Sequence, residues 1–330
     1  MQESVGPRTV AIVGVGAIGG WLADALAHAG WQVGVVARGE TLAAVRAGGL
    51  RIEGDGERRQ SYPRAGSAAE LGEQDYVLLT VKAHSLSCLA PELTPLIGPS
   101  TVVISGMNGI PWWFFQGFGG ALEDQRLDSV DPDGSQARAF PRERVLGSVV
   151  HASARATAPG QIRVLAADRF ILGEPSGVIS TRVREVVAAL RAGGINAQAS
   201  ERIRDEVWAK LWGNMNMNPL SALTRSGTAK ILADADIRAL CVRMMEEMQC
   251  CGQLLRLNSS MTPCERIDIT RRLGDFRTSM LEDLESGRQL ELAPQLGAVV
   301  EIADRLGICA PYCRSILGLT RLLGTHSSCE

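Results

Sequence analysis

The chain has 330 residues, of which 45% are hydrophobic and 21% charged, and a formal net charge of -2. This composition predicts a globular protein of about two domains, and the small net charge without a Lys/Arg-rich run argues against a nucleic acid partner. The first residues have no apolar signal core, and no apolar run approaches the length of a membrane span. We therefore expect a cytoplasmic protein with no membrane partner.

Eight cysteines are scattered along the chain, most of them in its C-terminal third. They form no CxxC pair, and Cys309 and Cys313 have no nearby histidine that would complete a zinc site. The pattern predicts reduced, buried thiols and no metal site.

The first element is a short apolar strand over residues 9–13, which runs directly into a glycine-rich turn over residues 14–20. A helical pattern then extends to Gly30, and residues 33–37 form a second apolar run. Strand, GxGxxG turn, helix and strand in this order are typical of a dinucleotide-binding fold.

Each glycine of the turn has its own role in such a site. Gly14 allows the tight turn, Gly16 lets the backbone approach a pyrophosphate, and Gly19 lets the helix pack on the strand. The first N–H groups of the helix then face the phosphates. The turn residues predicted to bind the cofactor are Gly14, Gly16, Ala17, Ile18 and Gly19.

The end of the second strand selects between cofactors. A carboxylate there binds the ribose 2′-hydroxyl of NAD, whereas a basic residue suits the 2′-phosphate of NADP. The chain has Arg38 at this point and no carboxylate before Glu40. We predict NADP (NADPH) as the cofactor, against the alternative that Arg38 is an ordinary surface residue.

Two further strands deliver polar side chains to the same edge of the predicted sheet. Residues 75–82 and 101–105 are apolar runs, the first ending at Lys82 and the second leading to Asn108. Ligands of parallel sheets bind at the carboxyl ends of strands, so both side chains are candidates for the site. Residues 49–64 are predicted to form a hairpin at the sheet edge.

Four consecutive aromatic residues, Trp112 to Phe115, precede a long polar segment that reaches Arg144. Long segments of this kind are often lids or binding loops. The aromatic residues either line a pocket or pack in a core, and we favour packing. The remaining elements predicted in this half are strands over 145–152, 161–165, 169–172 and 195–197 and a helix over 181–192.

Helical periodicity replaces the strand patterns from Glu201 onward. A helix over residues 208–219 places Lys210, Asn214 and Asn218 at successive i, i+4 positions, so one face presents an ammonium and two amides. Such groups need hydrogen-bond partners when they are buried, and a polar substrate is one candidate partner. The alternative is that the helix lies at the surface and that water solvates this face. The apolar residues that would anchor another face are Val207, Leu211 and Met215.

Further helices follow to the end of the chain. One is predicted over residues 238–257, a second starts with Thr278 or Ser279 as its cap and ends at Gly287, and Glu291 opens a third. Taken together, the patterns predict an α/β protein with an N-terminal Rossmann dinucleotide-binding domain followed by an all-helical C-terminal domain. The predicted domains are residues 1–200 and 201–330.

Several of these residues occur in the order of a known family's motifs along nearly the whole chain. They are Gly14-Val15-Gly16-Ala17-Ile18-Gly19, Arg38, Lys82, Asn108-Gly109, Lys210…Asn214…Asn218-Pro219-Leu220, Thr278-Ser279-Met280-Leu281-Glu282-Asp283 and Glu291. In these motifs the chain resembles the ketopantoate reductases (2-dehydropantoate 2-reductases) and their paralogues. The resemblance implies a cleft between the two domains and NADPH-dependent reduction of a 2-oxo acid, ketopantoate, in pantothenate biosynthesis.

The resemblance also implies roles for individual residues. Lys210 is expected to be the general acid that protonates the carbonyl oxygen, with Glu291 orienting the substrate and pairing with Lys210. Asn214 and Asn218 are expected to hydrogen-bond the substrate, and Ser279 its carboxylate. Asn108 is expected to lie near the nicotinamide end of the cofactor and near the substrate. Lys82 and Arg38 are expected to bind the cofactor phosphates.

The chain departs from the family on the substrate side. Phe276 and Thr228 occupy positions where family members that reduce ketopantoate tend to have asparagine. Fewer amides would favour a more apolar 2-oxo acid than ketopantoate, and the aromatic residues 112–115 would favour it too if they line the pocket. This more apolar substrate is the alternative to ketopantoate.

Two other functions are weighed against the reductase. A β-hydroxyacid dehydrogenase is disfavoured because residues 202–207, before the lysine, contain no glycine. A non-catalytic NADP-binding regulatory protein is disfavoured because Lys210, Asn214, Ser279 and Glu291 are intact. A homodimer is one expectation, and a monomer whose C-terminal helices close their own core is the other.

Overall fold

The computed structural model describes residues 6–54, 56–257 and 261–326, and the chain divides into two compact units. We call them the sheet unit and the helical unit. The sheet unit comprises Met1–Met107 and Gly134–Ile203, and the helical unit comprises Asn108–Asp133 and Arg204–Glu330. Residues 108–133, which the sequence placed in the N-terminal domain, therefore belong with the helices.

The strands of the sheet unit form one mixed sheet, ten-stranded within the described residues. They are β1 (Thr9–Val13), β2 (Gln32–Val36), β3 (Leu50–Gly54), β4 (Glu57–Ser61), β5 (Arg64–Gly66), β6 (Gln74–Leu79), β7 (Ile97–Ser105), β8 (Val145–Ala158), β9 (Gln161–Gly173) and β10 (Ala197–Ala199). The order is β4-β3-β9-β8-β7-β6-β1-β2-β5, with β10 beside β9. From β5 to β8 the neighbours are parallel, whereas β8–β9 and the predicted hairpin β3–β4 are antiparallel.

Helices connect the parallel strands. They are α1 (Ala17–His28), α2 (Gly39–Gly48), α3 (Ala68–Leu71), α4 (Ala83–Leu89), α5 (Ser135–Ala139) and α6 (Thr181–Ala192). Helix α1 buries Leu22 and Leu26 in the same core as Val10 and Val35 of the first two strands. This β1-α1-β2 unit confirms the predicted Rossmann architecture, since an apolar helix stripe covers the apolar face of parallel strands.

Two strand predictions need correction. Residues 161–165 and 169–172 form the single strand β9, because its pairing with β8 continues through residues 166 and 167. The pairing register shifts between His151 and Ala152 of β8, so that Asp168 of β9 is accommodated without ending the strand. Strand β6 ends at Leu79, so Lys82 lies beyond it as the residue that precedes α4.

The helical unit continues the chain with helices joined by short connections. They are α7 (Ile203–Thr224), α8 (Thr228–Ala233), α9 (Ala235–Leu255), α10 (Pro263–Arg272), α11 (Ser279–Glu285), α12 (Ala298–Arg305) and α13 (Pro311–His326). A π-helical turn, Ala293–Gly297, precedes α12. Glu291 lies before this turn in a non-helical segment, not at the start of a helix as predicted.

The cysteines differ from the prediction in their exposure. Those in the described residues are free thiols, but Cys88, Cys250, Cys264 and Cys309 are exposed, not buried. Cys329 lies outside the described residues. In the part of the chain that the structure describes, no group of three or more His, Cys, Asp and Glu side chains is placed to hold a metal ion. No helix there is long and apolar enough to cross a membrane.

The aromatic residues 112–115 form a core of the helical unit. Each is at most 5% exposed. The Phe114 ring stacks on Trp208 of α7 with a centroid distance of 6.4 Å and meets Phe115 edge-on at 5.0 Å. Arg204 Nε donates to the Phe114 carbonyl at 2.8 Å. The aromatic residues therefore fix the start of α7 by packing, as favoured from the sequence.

Truncation of Phe114 to alanine is expected to lower the free energy of unfolding by about 3–5 kcal/mol, because the ring is fully buried among other rings. Chemical denaturation measures the loss. Phe276→Ala is the matched control, since Phe276 is 39% exposed and its truncation leaves no comparable cavity. Equal losses in the two variants would contradict the proposed core.

Candidate active site

The glycine-rich turn after β1 is shaped by close packing. Gly14 has φ of 95°, which favours glycine, and a Cβ there would lie 2.7 Å from Val81 Cγ1. A Cβ on Gly19 would lie 2.1 Å from the carbonyl oxygen of Gly14. The fold therefore requires glycine at both positions, in agreement with the roles predicted for them.

Gly16 differs from these two glycines, because a Cβ there would meet no atom of the described chain within 4 Å. Packing does not explain glycine at this position, whereas close approach of a ligand does. Gly16 also caps α1 without a side-chain hydrogen bond, and the first turn of α1, which starts at Ala17 and Ile18, contains no acidic residue. These features fit a dinucleotide pyrophosphate at the helix N-terminus.

Two basic residues follow the strands on either side of β1. Arg38 follows β2 and is exposed, and its side chain forms no hydrogen bond or ion pair with the described residues. Lys82 follows β6 and immediately precedes α4. Because the sheet order is β6-β1-β2, both residues lie near the end of the sheet that carries the turn. This placement fits cofactor phosphates, including the 2′-phosphate of NADP.

The helical unit holds a partly buried cation. Lys210 of α7 donates from Nζ to Asn108 Oδ1 at 2.7 Å. Burial lowers the pKa of Lys210 to about 8, while the charge of Glu291 acts in the opposite direction and raises it. Glu291 is itself 5% exposed. The structure thus brings together an ammonium, an amide and a carboxylate that the sequence predicted as site residues.

The two asparagines of α7 differ in their hydrogen bonds. Helix α7 confirms the predicted spacing of Lys210, Asn214 and Asn218 and buries the predicted apolar face. Asn218 is buried and donates from Nδ2 to Gln295 Oε1 at 2.7 Å. Asn214 is half-buried and forms no hydrogen bond with its side chain among the described residues. The amide of Asn214 is therefore the one available to a ligand.

The π-helical turn connects these groups. Pro294 accepts a hydrogen bond from the Ile110 amide at 2.8 Å, and a Cβ on Gly109 would lie 2.3 Å from the Pro294 carbonyl oxygen. The turn therefore fixes the loop that carries Asn108, and through Gln295 it also fixes Asn218. Such turns are frequent at functional sites. Sequence reasoning missed Gln295, because its partner Asn218 lies 77 residues away in the chain.

Ser279 is placed apart from these contacts. It is exposed at the first residue of α11, and its hydroxyl forms no hydrogen bond with the described residues. The cap of α11 is Thr278, whose hydroxyl accepts from the Leu281 amide at 3.2 Å. The predicted cap is thus confirmed for Thr278, and the hydroxyl of Ser279 is available to a ligand.

The two departures from the family have different surroundings. Thr228 is fully buried, and its hydroxyl donates to the Gly274 carbonyl and accepts from the Phe276 amide, both at 3.1 Å. The side chain of Thr228 therefore holds the segment before α11, and its hydroxyl is used within the fold. Phe276 is partly exposed.

The bond between Asn218 and Gln295 gives a prediction about stability. Gln295→Leu is expected to lower the free energy of unfolding by about 1–3 kcal/mol, because the buried Asn218 amide loses its acceptor. Chemical denaturation of both single variants and of the double variant Asn218→Leu/Gln295→Leu measures the coupling. The double variant is expected to lose less than the sum of the single variants, and strict additivity would refute the bond.

Comparison with known proteins gives matches whose descriptions agree with one another. A family model described as ketopantoate reductase PanE/ApbA matches residues 10–112, and the model of the C terminal part of that family matches residues 202–324. A curated 2-dehydropantoate 2-reductase from Mesorhizobium japonicum is 43% identical over 322 residues, which are 97% of this chain and 99% of that protein.

Solved structures agree with these relatives. A structure from Ralstonia solanacearum MolK2, described as a candidate ketopantoate reductase, matches with a TM-score of 0.93 and 41% identity over 98% of this chain and 99% of that one. The 2-dehydropantoate 2-reductase of Methylococcus capsulatus matches with a TM-score of 0.82 and 28% identity, covering 98% of each chain.

Proposed function

The chain belongs to the ketopantoate reductase family, and from this membership and the surroundings of Lys210 we propose that it reduces 2-dehydropantoate to pantoate with NADPH. In general terms, the proposed reaction converts a 2-oxo acid into a 2-hydroxy acid. The observation that carries the proposal is the partly buried ammonium of Lys210, held at 2.7 Å by Asn108 and influenced by the charge of Glu291. A group of this kind is suited to a carbonyl oxygen that gains negative charge.

The residues of the chain account for the proton transfer. NADPH held by the glycine-rich turn, Arg38 and Lys82 would supply the hydride that the carbonyl carbon receives. As charge develops on the carbonyl oxygen, Lys210 Nζ stabilises it and transfers a proton to it, which leaves the hydroxyl product and a neutral amine that solvent reprotonates. A pKa of about 8 keeps the amine mostly protonated at neutral pH and makes it a stronger acid than an exposed lysine.

Asn108 and Glu291 act on Lys210 in different ways. The carbonyl oxygen of the Asn108 amide holds the ammonium in one orientation without adding charge. The carboxylate of Glu291 counters part of the desolvation that burial imposes on the cation. We assign proton donation to Lys210 and orientation of the substrate to Glu291, with Asn214, Asn218 and Ser279 as substrate-binding residues.

Among these substrate-binding residues, Asn214 and Ser279 have polar groups not used within the described chain, whereas Asn218 is bonded to Gln295. We therefore expect direct substrate contacts from Asn214 and Ser279, and a contact from Asn218 only through its carbonyl oxygen or its second amide hydrogen. The cofactor residues in this proposal are Gly14, Gly16, Ala17, Ile18, Gly19, Arg38, Lys82 and Asn108.

The more apolar substrate considered from the sequence has lost part of its support. The aromatic residues 112–115 are buried in a core and do not line a pocket. Thr228, whose hydroxyl is used within the fold, and Phe276 remain as departures from the family pattern. We therefore propose 2-dehydropantoate as the substrate.

Three other expectations stay predictions. We propose that residues 1–200 bind the cofactor and that residues 201–330 supply the catalytic groups, with Asn108 as an addition to the second set. The homodimer and the cytoplasmic location predicted from the sequence also remain to be measured, by light scattering and by cell fractionation.

The pH dependence of reduction tests the role of Lys210. The general acid must be protonated, so kcat/KM at saturating NADPH is expected to be constant below a pH of about 8 and to fall tenfold per pH unit above it. Glu291→Gln removes the charge that raises the pKa, so the fall should begin at lower pH. Lys210→Ala should reduce kcat by about a thousandfold while NADPH fluorescence titration shows unchanged cofactor binding.

Glu285→Gln is the matched control, because it removes the same charge from an exposed residue of α11 that pairs with Arg277. It should leave the pH profile in place. An unshifted profile in Glu291→Gln would contradict the assigned coupling. If the wild-type protein does not oxidise NADPH with 2-dehydropantoate, the proposed reaction is wrong.

Replacement of Arg38 tests the choice of cofactor. Arg38→Ala is expected to raise the dissociation constant of NADPH about 10- to 100-fold and to leave that of NADH nearly unchanged, because only NADPH carries the 2′-phosphate. Arg184→Ala, at an exposed position of α6, serves as the control. Equal weakening of both cofactors would show that Arg38 does not recognise the 2′-phosphate.

A further inference from the structure

Arg266 of α10 places its guanidinium against α7. Its Nη1 donates to Thr270 Oγ1 at 3.0 Å. A Cβ on Gly213 of α7 would lie 2.2 Å from Arg266 Nη2 and 2.8 Å from Cζ. The guanidinium therefore occupies the space that any larger side chain at position 213 would need.

The contact with Gly213 places Arg266 beside the site. Gly213 follows Lys210 by three residues and immediately precedes Asn214. At about 100° per residue, Gly213 lies about 60° to one side of Lys210 around the helix axis, and Asn214 lies about 40° to the other side. The guanidinium thus borders the face of α7 that carries the proposed general acid, about one helical turn from it.

Arg266 has no counter-charge within the described residues. Its side chain forms no ion pair there, and Thr270 is its one hydrogen-bond partner among them. Burial lowers the pKa of the Arg266 guanidinium from its ordinary value. By contrast, Arg271 of the same helix is exposed and pairs with Asp268 at 2.7 Å. A partly desolvated guanidinium with unused N–H groups is suited to an anion.

We propose that Arg266 binds the carboxylate of the 2-oxo acid, an inference that rests on the function proposed above. A 2-oxo acid carries its carboxylate on the carbon next to the reacting carbonyl, so a site with an ammonium at the carbonyl oxygen needs a second donor group close by. The planar guanidinium can donate to both carboxylate oxygens through N–H groups that the described chain does not use. Arg266 thus adds a charge to the hydroxyl that Ser279 offers to the same carboxylate.

The test compares 2-dehydropantoate with its uncharged primary amide. Arg266→Gln is expected to lower kcat/KM for the acid about 100-fold and to change that for the amide less than about threefold, because only the acid carries the charge that the guanidinium pairs. Arg266→Lys should restore part of the preference for the acid. Gly213→Ala should reduce that preference too, because its Cβ displaces the guanidinium from α7.

Arg271→Gln is the matched control on the same helix and should leave both substrates unaffected. Equal losses for acid and amide in Arg266→Gln would reveal a structural role and overturn the proposal, as would no loss for either. Calorimetric binding of 2-dehydropantoate to the NADP⁺-loaded protein separates the two proposals. If the wild-type protein does not turn over 2-dehydropantoate, the proposed reductase function is wrong. If the wild-type protein does not bind 2-dehydropantoate, or if Arg266→Gln binds it as tightly as the wild type does, the proposed role of Arg266 is wrong.

Discussion

The pairing of the partly buried Lys210 ammonium is the constraint on which the site in the helical unit depends. A cation removed from water is costly unless polar groups replace its hydration, and here Asn108 and the charge of Glu291 do so. These residues come from three segments far apart in the chain, which must fold together before the cation is paired. Asn108 therefore belongs with the helices, although the segment before it is a strand of the sheet.

The same constraint sets the acidity of the lysine. Burial alone would favour the neutral amine, and a close carboxylate alone would favour a permanent cation. In this fold the effect of burial exceeds that of the Glu291 carboxylate, and the pKa of Lys210 lies at about 8. The π-helical turn keeps this balance in place, because Pro294 holds the loop of Asn108 and Gln295 holds Asn218 on the helix of Lys210.

The sequence predicted those parts of the fold that depend on neighbouring residues. The GxGxxG turn, the hairpin and the i, i+4 face of α7 are local patterns, and each was found where expected. The partner of Asn218 is 77 residues away, and the two partners of the Thr228 hydroxyl are 46 and 48 residues away, so no local pattern contains them. The boundary between the units escaped prediction for the same reason, since residues 108–133 are assigned by packing around Trp208 and Arg204.

Whether a polar side chain serves a ligand or the fold depends on whether the fold already uses its hydrogen-bonding groups. Asn214 and Asn218 are identical in type and lie one turn apart, yet only Asn218 donates a side-chain hydrogen bond to the protein. Thr228 occupies a position expected to face substrate, but its hydroxyl holds two backbone groups. Arg266 is the opposite case to Thr228. Nothing in its sequence surroundings indicates a functional residue, yet most of its N–H donors remain unused within the described chain. In the proposed function, substrate recognition therefore falls to groups that the fold leaves without a partner among the described residues, and no local sequence pattern marks such groups.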